Sequence, residues 1–118
     1  MSTKGFFPSQ ERRAFPAMYA MLYPGIVETA NELGYALALH GSLSRDMDVV
    51  AIPWTDTAVD AEVLVGAIKE RVAGCQGTGV AAVRGPSEKP WGRRAWALML
   101  QGHGYIDLSV MPKAVPRD

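Results

Sequence analysis

The chain has 118 residues, of which 48% are hydrophobic and 20% are charged. This balance is typical of one globular domain and excludes an intrinsically disordered chain. Twelve basic residues balance twelve acidic ones, so no overall field draws the protein to nucleic acid or to an anionic membrane. The single cysteine, Cys75, forms no internal disulfide and no signal-peptide pattern is present, so we expect a cytoplasmic protein.

The N-terminal part of the chain is expected to end in a helix. Residues 1–13 are polar and charged, and we expect a loosely ordered lead-in there. Pro16 opens a helical segment, and Pro24 either kinks that helix or starts a new one. Gly34 is a natural C-cap. One helical face before it is apolar and consists of Ile26, Val27, Ala30 and Leu33.

Two strands and a second helix follow. Residues 35–40 alternate as a strand, and residues 47–54 form a second strand that is apolar on both faces after Asp48. Such a strand is typical of an internal position in a sheet. The helix follows the candidate N-caps Thr55, Asp56 and Thr57 and ends near Ala73. Its inward residues are predicted to be Ala61, Leu64, Ile68 and Val72.

The C-terminal third predicts a further strand and a hairpin. Residues 79–84 form a short third strand, and residues 85–92 form a loop rich in Pro and Gly. Residues 93–100 and 105–111 are predicted to pair as a hairpin. The last residues, 112–118, contain two prolines and are expected to be a loosely ordered tail.

This order of elements predicts an α+β fold, an α/β sandwich in which all 118 residues form one domain. One mixed sheet of about five strands carries the helices on one face. The opposite face is left partly open, so polar side chains that point there remain accessible to ligands.

Two aspartates open the second predicted strand. They lie in the stretch His-Gly-Ser-Leu-Ser-Arg-Asp-Met-Asp, residues 40–48. Asp46 and Asp48 are two residues apart, so on a strand their side chains point to the same face of the sheet. Like charges held this close repel, and burial strengthens the repulsion. A bridging cation removes it, so the pair indicates half of a divalent-metal site.

A third aspartate is predicted on the same open face. In the last strand Asp107 alternates with the apolar Ile106 and Leu108, which must face the helices. An aspartate in the middle of an apolar strand is disfavoured and requires a reason. If all three aspartates face the open side, their carboxylates converge. Such a set of hard oxygen donors is typical of Mg²⁺ or Mn²⁺ sites.

Each aspartate also has a simpler explanation. Asp46 is able to pair with Arg45 or Arg94 at the surface, Asp48 to cap a turn, and Asp107 to be a solvated edge residue. These explanations and the metal site are distinguished by the distances between the carboxylates and by their ion-pair partners.

Gly41 and Ser42 form a turn directly before the Asp-x-Asp strand. Glycine lets the backbone approach a ligand closely, and exposed N–H groups in such a turn, with the Ser42 hydroxyl, bind oxyanions. A strand ending in Gly-Ser, then the strand with Asp46 and Asp48, then a later strand with Asp107 resembles the DNA polymerase beta-type nucleotidyltransferase superfamily. The resemblance covers residues 25–111.

The resemblance implies a role for each of these residues. Gly41 and Ser42 would hold the β- and γ-phosphates of a nucleoside triphosphate. Asp46 and Asp48 would bind both metal ions of a two-metal reaction, and Asp107 would complete the catalytic metal site and help to activate the acceptor hydroxyl.

Further phosphate contacts and partners are expected beside this motif. Arg45 adds charge between the Gly-Ser turn and the aspartates, and Lys89, Arg93 and Arg94 are candidates for phosphate contacts from the rim. In larger members of the superfamily a helical domain that follows the third aspartate holds the base and the acceptor. The resemblance therefore implies that the N-terminal segment, a second copy of the chain in a homodimer or a helical protein partner performs that task.

Two other functions compete with a nucleotidyltransferase. One is a non-catalytic relative, acting as a binding module or as the small subunit of a two-protein complex of the toxin–antitoxin kind. The other is a metal-dependent phosphoesterase or sugar transferase, because Asp-x-Asp pairs also occur there. A large apolar patch on the open sheet face would favour a protein partner.

Overall fold

The computed structural model describes residues 3–43, 45–75, 79–101 and 104–114. Its fold is α+β, with two helices and one five-stranded mixed sheet, as the sequence predicted. The elements in chain order are α1 (Thr3–Glu32), β1 (Tyr35–His40), β2 (Asp46–Pro53), α2 (Ala61–Ala73), β3 (Val80–Glu88), a short 3₁₀ turn (Pro90–Gly92), β4 (Arg94–Leu100) and β5 (Tyr105–Val110).

The sheet has the strand order β1-β2-β5-β4-β3. The predicted hairpin of β4 and β5 is confirmed, and β1 with β2 and β3 with β4 are also antiparallel pairs. Among the strands that the structure describes, only β2 and β5 run parallel. A parallel pair requires a long crossover, and α2, β3 and β4 together form it. This crossover places the two aspartate-bearing strands side by side in the middle of the sheet.

Both helices pack against the same face of the sheet. The four predicted inward residues of α2 are all buried, and Tyr19, Leu22, Ile26 and Ala30 of α1 join the same core. The sheet contributes one alternating set from each central strand: Met47, Val49 and Ala51 of β2, and Ile106, Leu108 and Val110 of β5. The alternation predicted for the last strand is thus confirmed. In the described part of the chain, no helix lies on the opposite face.

The first helix is longer than the sequence predicted. It starts at Thr3 and continues without a break through Pro16 and Pro24 to Glu32. The expected lead-in therefore lies within a helix from Thr3 onward, and residues 1–2 lie outside the described residues. Residues 10–14 are Gln, Glu, Arg, Arg and Ala, all strong helix formers. Over the described residues, neither helix has the length and apolarity that a membrane span requires.

The second helix begins later than predicted, at Ala61. Residues 54–60 are held away from a helical path by backbone hydrogen bonds to the turn after α1. The N–H of Trp54 donates to the carbonyl of Gly34 at 2.8 Å, and the N–H of Val59 donates to that of Leu33 at 3.1 Å. The helix ends at Ala73, as the sequence predicted.

The third strand is also longer than predicted, because it continues through part of the expected loop to Glu88. Its pairing with β4 shifts between Arg84 and Ser87. Gly85 and Pro86 occupy this bulge, where a proline that lacks an N–H interrupts no ladder hydrogen bond.

The predicted tail is held against α2 in the part that the structure describes. The ammonium of Lys113 lies 2.8 Å from the carboxylate of Asp60 and 3.3 Å from the carbonyl of Ala58. Residues 115–118 lie outside the described residues.

Trp91 has a left-handed backbone that glycine should improve. Its φ is +69° and its side chain is 90% exposed, so the substitution Trp91→Gly loses little packing. A left-handed conformation costs an L-residue about 1–2 kcal/mol, and the entropy of glycine offsets part of the gain. We expect the free energy of unfolding in urea to rise by about 0.5–1 kcal/mol. The control Trp54→Gly, also at an exposed tryptophan, should give no gain. An equal gain in both variants would contradict the strain at Trp91.

Candidate metal centre

The parallel pairing of β2 and β5 brings the three predicted aspartates together. Asp48 lies directly opposite Asp107, and Asp46 lies opposite Tyr105. One carboxylate oxygen from each of Asp46, Asp48 and Asp107 lies within 4.8 Å of the other two, and all three residues are half-buried. The site occupies the sheet face opposite the helices, at the end where β2 and β5 begin.

The donor set fits a hard divalent cation. Mg²⁺ takes oxygen ligands at about 2.0–2.1 Å, so two oxygens on one ion are separated by up to about 4 Å. The three oxygens lie within 4.8 Å of one another, so they would move closer together to share one ion. Because the carboxylates are only half-buried, water and substrate oxygens are able to complete the coordination. Asp46, Asp48 and Asp107 would hold the ion.

The electrostatics of the cluster disfavour the ionised form of Asp48. The pKa of Asp48 is raised to about 6, first by burial, then by the hydrogen bond and the charge of Asp46, and further by the charge of Asp107. The charge of His40, which is paired with Asp48 in the sheet, lowers this pKa but offsets only part of the rise. Two acidic neighbours thus disfavour the ionised form of Asp48, which is the form that a bound cation stabilises.

Arg94 does not form the ion pair with Asp46 that was the simpler explanation for this aspartate. The Arg94 guanidinium lies 2.7 Å from Glu62 of α2, on the helix side of the sheet. Across residues 3–43, 45–75, 79–101 and 104–114, no ion pair includes any of the three aspartates. The pairs join Arg71 to Glu28, Arg94 to Glu62 and Lys113 to Asp60.

The predicted Gly-Ser turn lies against the cluster. Gly41 has a φ of +86°, and a Cβ built there would lie 2.9 Å from Oδ2 of Asp48. Only glycine therefore allows both this backbone conformation and this approach to the carboxylate. Ser42 follows it and is exposed.

The four predicted cationic residues occupy different places, and Arg94 lies on the helix side of the sheet, away from the cluster. Arg45 is exposed, directly before Asp46. Lys89 lines a groove that also contains Asp107. The guanidinium of Arg93 donates to the hydroxyl of Ser109 at 2.8 Å, two residues along β5 from Asp107. Lys89 thus shares a groove with Asp107, and Arg93 is held by a residue of the strand that carries Asp107.

Tyr19 of α1 positions the cluster, and no sequence pattern indicates this role. Its side chain is fully buried. Its hydroxyl donates to the carbonyl of Arg45 at 2.5 Å and accepts from the N–H of Tyr105 at 3.2 Å. It therefore joins the residue before Asp46 to the residue opposite Asp46. Burial raises the pKa of Tyr19 to about 12, so this hydroxyl stays protonated.

Gly104 makes room for this contact. A Cβ built there would collide with the Tyr19 hydroxyl. In sequence Tyr19 is one of two tyrosines in an uncharged stretch, residues 14–27, and nothing distinguishes it there from ordinary core packing.

Comparison of the chain with protein-family models, with curated proteins and with solved structures finds no match.

The raised pKa of Asp48 predicts how stability depends on pH in the absence of metal. Its folded-state pKa of about 6 lies above the ordinary carboxyl pKa of 3.8, so the folded state binds more protons between these two pH values. The free energy of unfolding should therefore fall as pH rises from about 4 to 6. With a discount for partial exposure, we expect Asp48→Asn to be more stable than the wild type by about 1–2 kcal/mol at pH 7.5.

Urea denaturation in EDTA at pH 4 and at pH 7.5 measures this effect. The advantage of Asp48→Asn should disappear at pH 4, and the exposed control Asp56→Asn should match the wild type at both pH values. A destabilised Asp48→Asn at pH 7.5 would show that the carboxylate is not under electrostatic strain.

Proposed function

We propose that this protein is a metal-dependent nucleotidyltransferase that moves a nucleoside monophosphate from a nucleoside triphosphate to a hydroxyl acceptor. The observation that carries the proposal is the meeting of three carboxylate oxygens within 4.8 Å on the open sheet face. The Gly-Ser turn supports it, because Gly41 contacts Asp48 and backbone N–H groups in such a turn bind phosphate oxygens.

The proposed reaction is an in-line displacement at the α-phosphorus. The acceptor oxygen forms a bond to that phosphorus, and the bond from the phosphorus to the oxygen that bridges to the β-phosphate breaks. Pyrophosphate leaves with the bonding electrons, and the hydroxyl proton passes to a nearby carboxylate or to water. Mg²⁺ or Mn²⁺, when bound, neutralises charge on the phosphates and lowers the pKa of the attacking hydroxyl.

We assign a role in this reaction to each residue of the site from its position in the sheet. Asp46 and Asp48 lie on one strand and Asp107 on the next, so the three form one wall of the reaction site. Asp107 is the carboxylate we assign to the acceptor hydroxyl. The backbone at Gly41 and Ser42 holds the terminal phosphates, and Arg45 adds a positive charge beside them.

A labelled-nucleotide assay tests the proposal directly. The full chain is incubated with each α-³²P-labelled nucleoside triphosphate, Mg²⁺ and candidate hydroxyl acceptors, and label transfer and pyrophosphate release are measured together. Calorimetric titration with Mn²⁺ and then with a non-hydrolysable nucleotide accompanies the assay. Transfer that depends on divalent cation supports the proposal, whereas the absence of both metal and nucleotide binding refutes it.

A non-catalytic role is the second candidate, as a binding module or as the small subunit of a two-protein complex. Two large apolar side chains favour it, because Trp54 is 77% exposed and Trp91 is 90% exposed. Tryptophan is enriched at protein interfaces relative to the rest of the protein surface. Light scattering of the purified chain distinguishes a homodimer from a monomer that awaits a helical partner. We place either function in the cytoplasm, on the basis of the single cysteine.

A further inference from the structure

A second feature adjoins the carboxylate cluster on the open sheet face. It is a groove of about 220 Å³ that runs from Asp107 and Tyr105 across β4 to β3. Its far wall consists of Arg84, Ser87 and Lys89. We name this feature the β3 groove. Asp107 belongs both to the groove and to the cluster, so a molecule in the groove lies beside the candidate metal centre.

The bulge in β3 shapes the groove. The shift of register between Arg84 and Ser87 bends the strand where it borders the groove. Gly85 has a φ of +120°, and a Cβ there would lie 2.7 Å from the carbonyl oxygen of Ala95. The side chains on the groove floor are small, since Ala95 and Ala97 lie there. Bulges of this kind are frequent next to active sites, where they redirect side chains.

The groove carries two cations that the rest of the described chain does not neutralise. Neither Arg84 nor Lys89 forms an ion pair or a side-chain hydrogen bond with any described residue, and both are exposed. Glu88 lies between Ser87 and Lys89 in sequence, but in the sheet it is paired with Arg94. The guanidinium of Arg94 is on the helix side, so Glu88 belongs to that side and not to the groove. The only carboxylate in the groove wall is Asp107.

The β3 groove and the Gly-Ser turn lie on opposite sides of the carboxylate cluster. Gly41 follows β1 and contacts Asp48, whereas the groove extends from Asp107 toward β4 and β3. In-line displacement places the attacking oxygen and the leaving pyrophosphate on opposite sides of the phosphorus. If the Gly-Ser turn holds the terminal phosphates, the acceptor must approach from the β3 groove.

We infer that the β3 groove binds the phosphate group of a small phosphorylated acceptor, a polyol or sugar phosphate, whose hydroxyl then lies next to Asp107. This inference rests on the proposed function for the identity of the reaction. The planar guanidinium of Arg84 and the ammonium of Lys89 provide paired donors for a phosphate. A volume of about 220 Å³ suits a molecule the size of a sugar phosphate, and a net charge of zero does not favour a nucleic acid strand.

Binding of a defined probe tests this inference without any catalytic step. The full chain is titrated with ribose 5-phosphate, with ribose and with a short single-stranded oligonucleotide in EDTA, and binding is followed by calorimetry and by ³¹P NMR. We expect ribose 5-phosphate to bind and ribose not to bind. The double variant Arg84→Ala and Lys89→Ala should weaken ribose 5-phosphate binding by about tenfold or more.

Two further variants make the test specific. Lys69→Ala removes an exposed cation from α2, on the helix side, and should leave ribose 5-phosphate binding unchanged. Asp48→Asn should abolish Mn²⁺ binding and keep ribose 5-phosphate binding, which separates failure of the groove from failure of the proposed function. Circular dichroism confirms that each variant is folded.

Three results would overturn the inference. The first is equal binding of ribose and ribose 5-phosphate, and the second is an equal loss in Lys69→Ala and in the double variant. The third is oligonucleotide binding at least about tenfold tighter than that of ribose 5-phosphate, which would identify a nucleic acid terminus as the ligand.

Discussion

The substitution Asp107→Asn should reduce nucleotidyl transfer by about 10³-fold or more, while the protein remains folded. Asn is close in size to Asp but lacks the negative charge, so the cluster keeps its shape and loses one anionic ligand. Among the described residues, only Asp46, Asp48 and Asp107 form a group of acidic side chains whose oxygens lie within 4.8 Å of one another. No other described carboxylate is therefore placed to substitute for Asp107. Mn²⁺ affinity measured by calorimetry should fall with the transfer rate.

The matched control for this loss is Asp56→Asn. Asp56 is exposed in the segment before α2, so its replacement makes the same change of charge away from the cluster. We expect transfer and Mn²⁺ binding to equal those of the wild type. If Asp107→Asn retained most of the transfer rate, Asp107 would have no part in the reaction.

The second large effect is expected at Tyr19. The substitution Tyr19→Phe removes the hydroxyl that joins the carbonyl of Arg45 to the N–H of Tyr105. Both backbone groups then lose a partner in a partly buried place. We expect the free energy of unfolding to fall by about 2–3 kcal/mol. Mn²⁺ affinity should fall as well, because the start of β2 is no longer tied to the start of β5.

Tyr35→Phe separates positioning from simple loss of stability. Tyr35 is also buried, and its hydroxyl donates to the carbonyl of Val59 at 2.6 Å, beside the loop before α2 and away from the aspartates. We expect a smaller loss of stability, about 1 kcal/mol, with unchanged Mn²⁺ affinity. Equal losses of metal affinity in the two variants would show that Tyr19 has only a structural role.

The sequence predicted the faces of the strands well, because that prediction rests on a local period. Alternation in the last strand placed Asp107 on the face opposite Ile106 and Leu108, and the spacing of Asp46 and Asp48 placed both on one face. The structure confirms the buried side of β5 and brings the three carboxylates to one face. Periodicity fixes where a side chain points, but it does not specify which strands are neighbours.

The contacts that complete the site are long-range and were beyond sequence patterns. Nothing local indicates that β2 pairs with β5 in the register that puts Asp48 opposite Asp107. The contact of Tyr19 with Arg45 spans 26 residues, and that with Tyr105 spans 86 residues. The late start of α2 has a similar cause, because its preceding segment is fixed by hydrogen bonds to Leu33 and Gly34.

The central claim is that Asp46, Asp48 and Asp107 act together as one cation site. A crystal of the full chain soaked with Mn²⁺ and a non-hydrolysable nucleoside triphosphate tests it most directly. We predict an anomalous difference peak within coordination distance of all three carboxylates, with the terminal phosphates at the Gly41-Ser42 turn. Carboxylates that point apart, or a Mn²⁺ peak elsewhere on the molecule with none at the cluster, would contradict it.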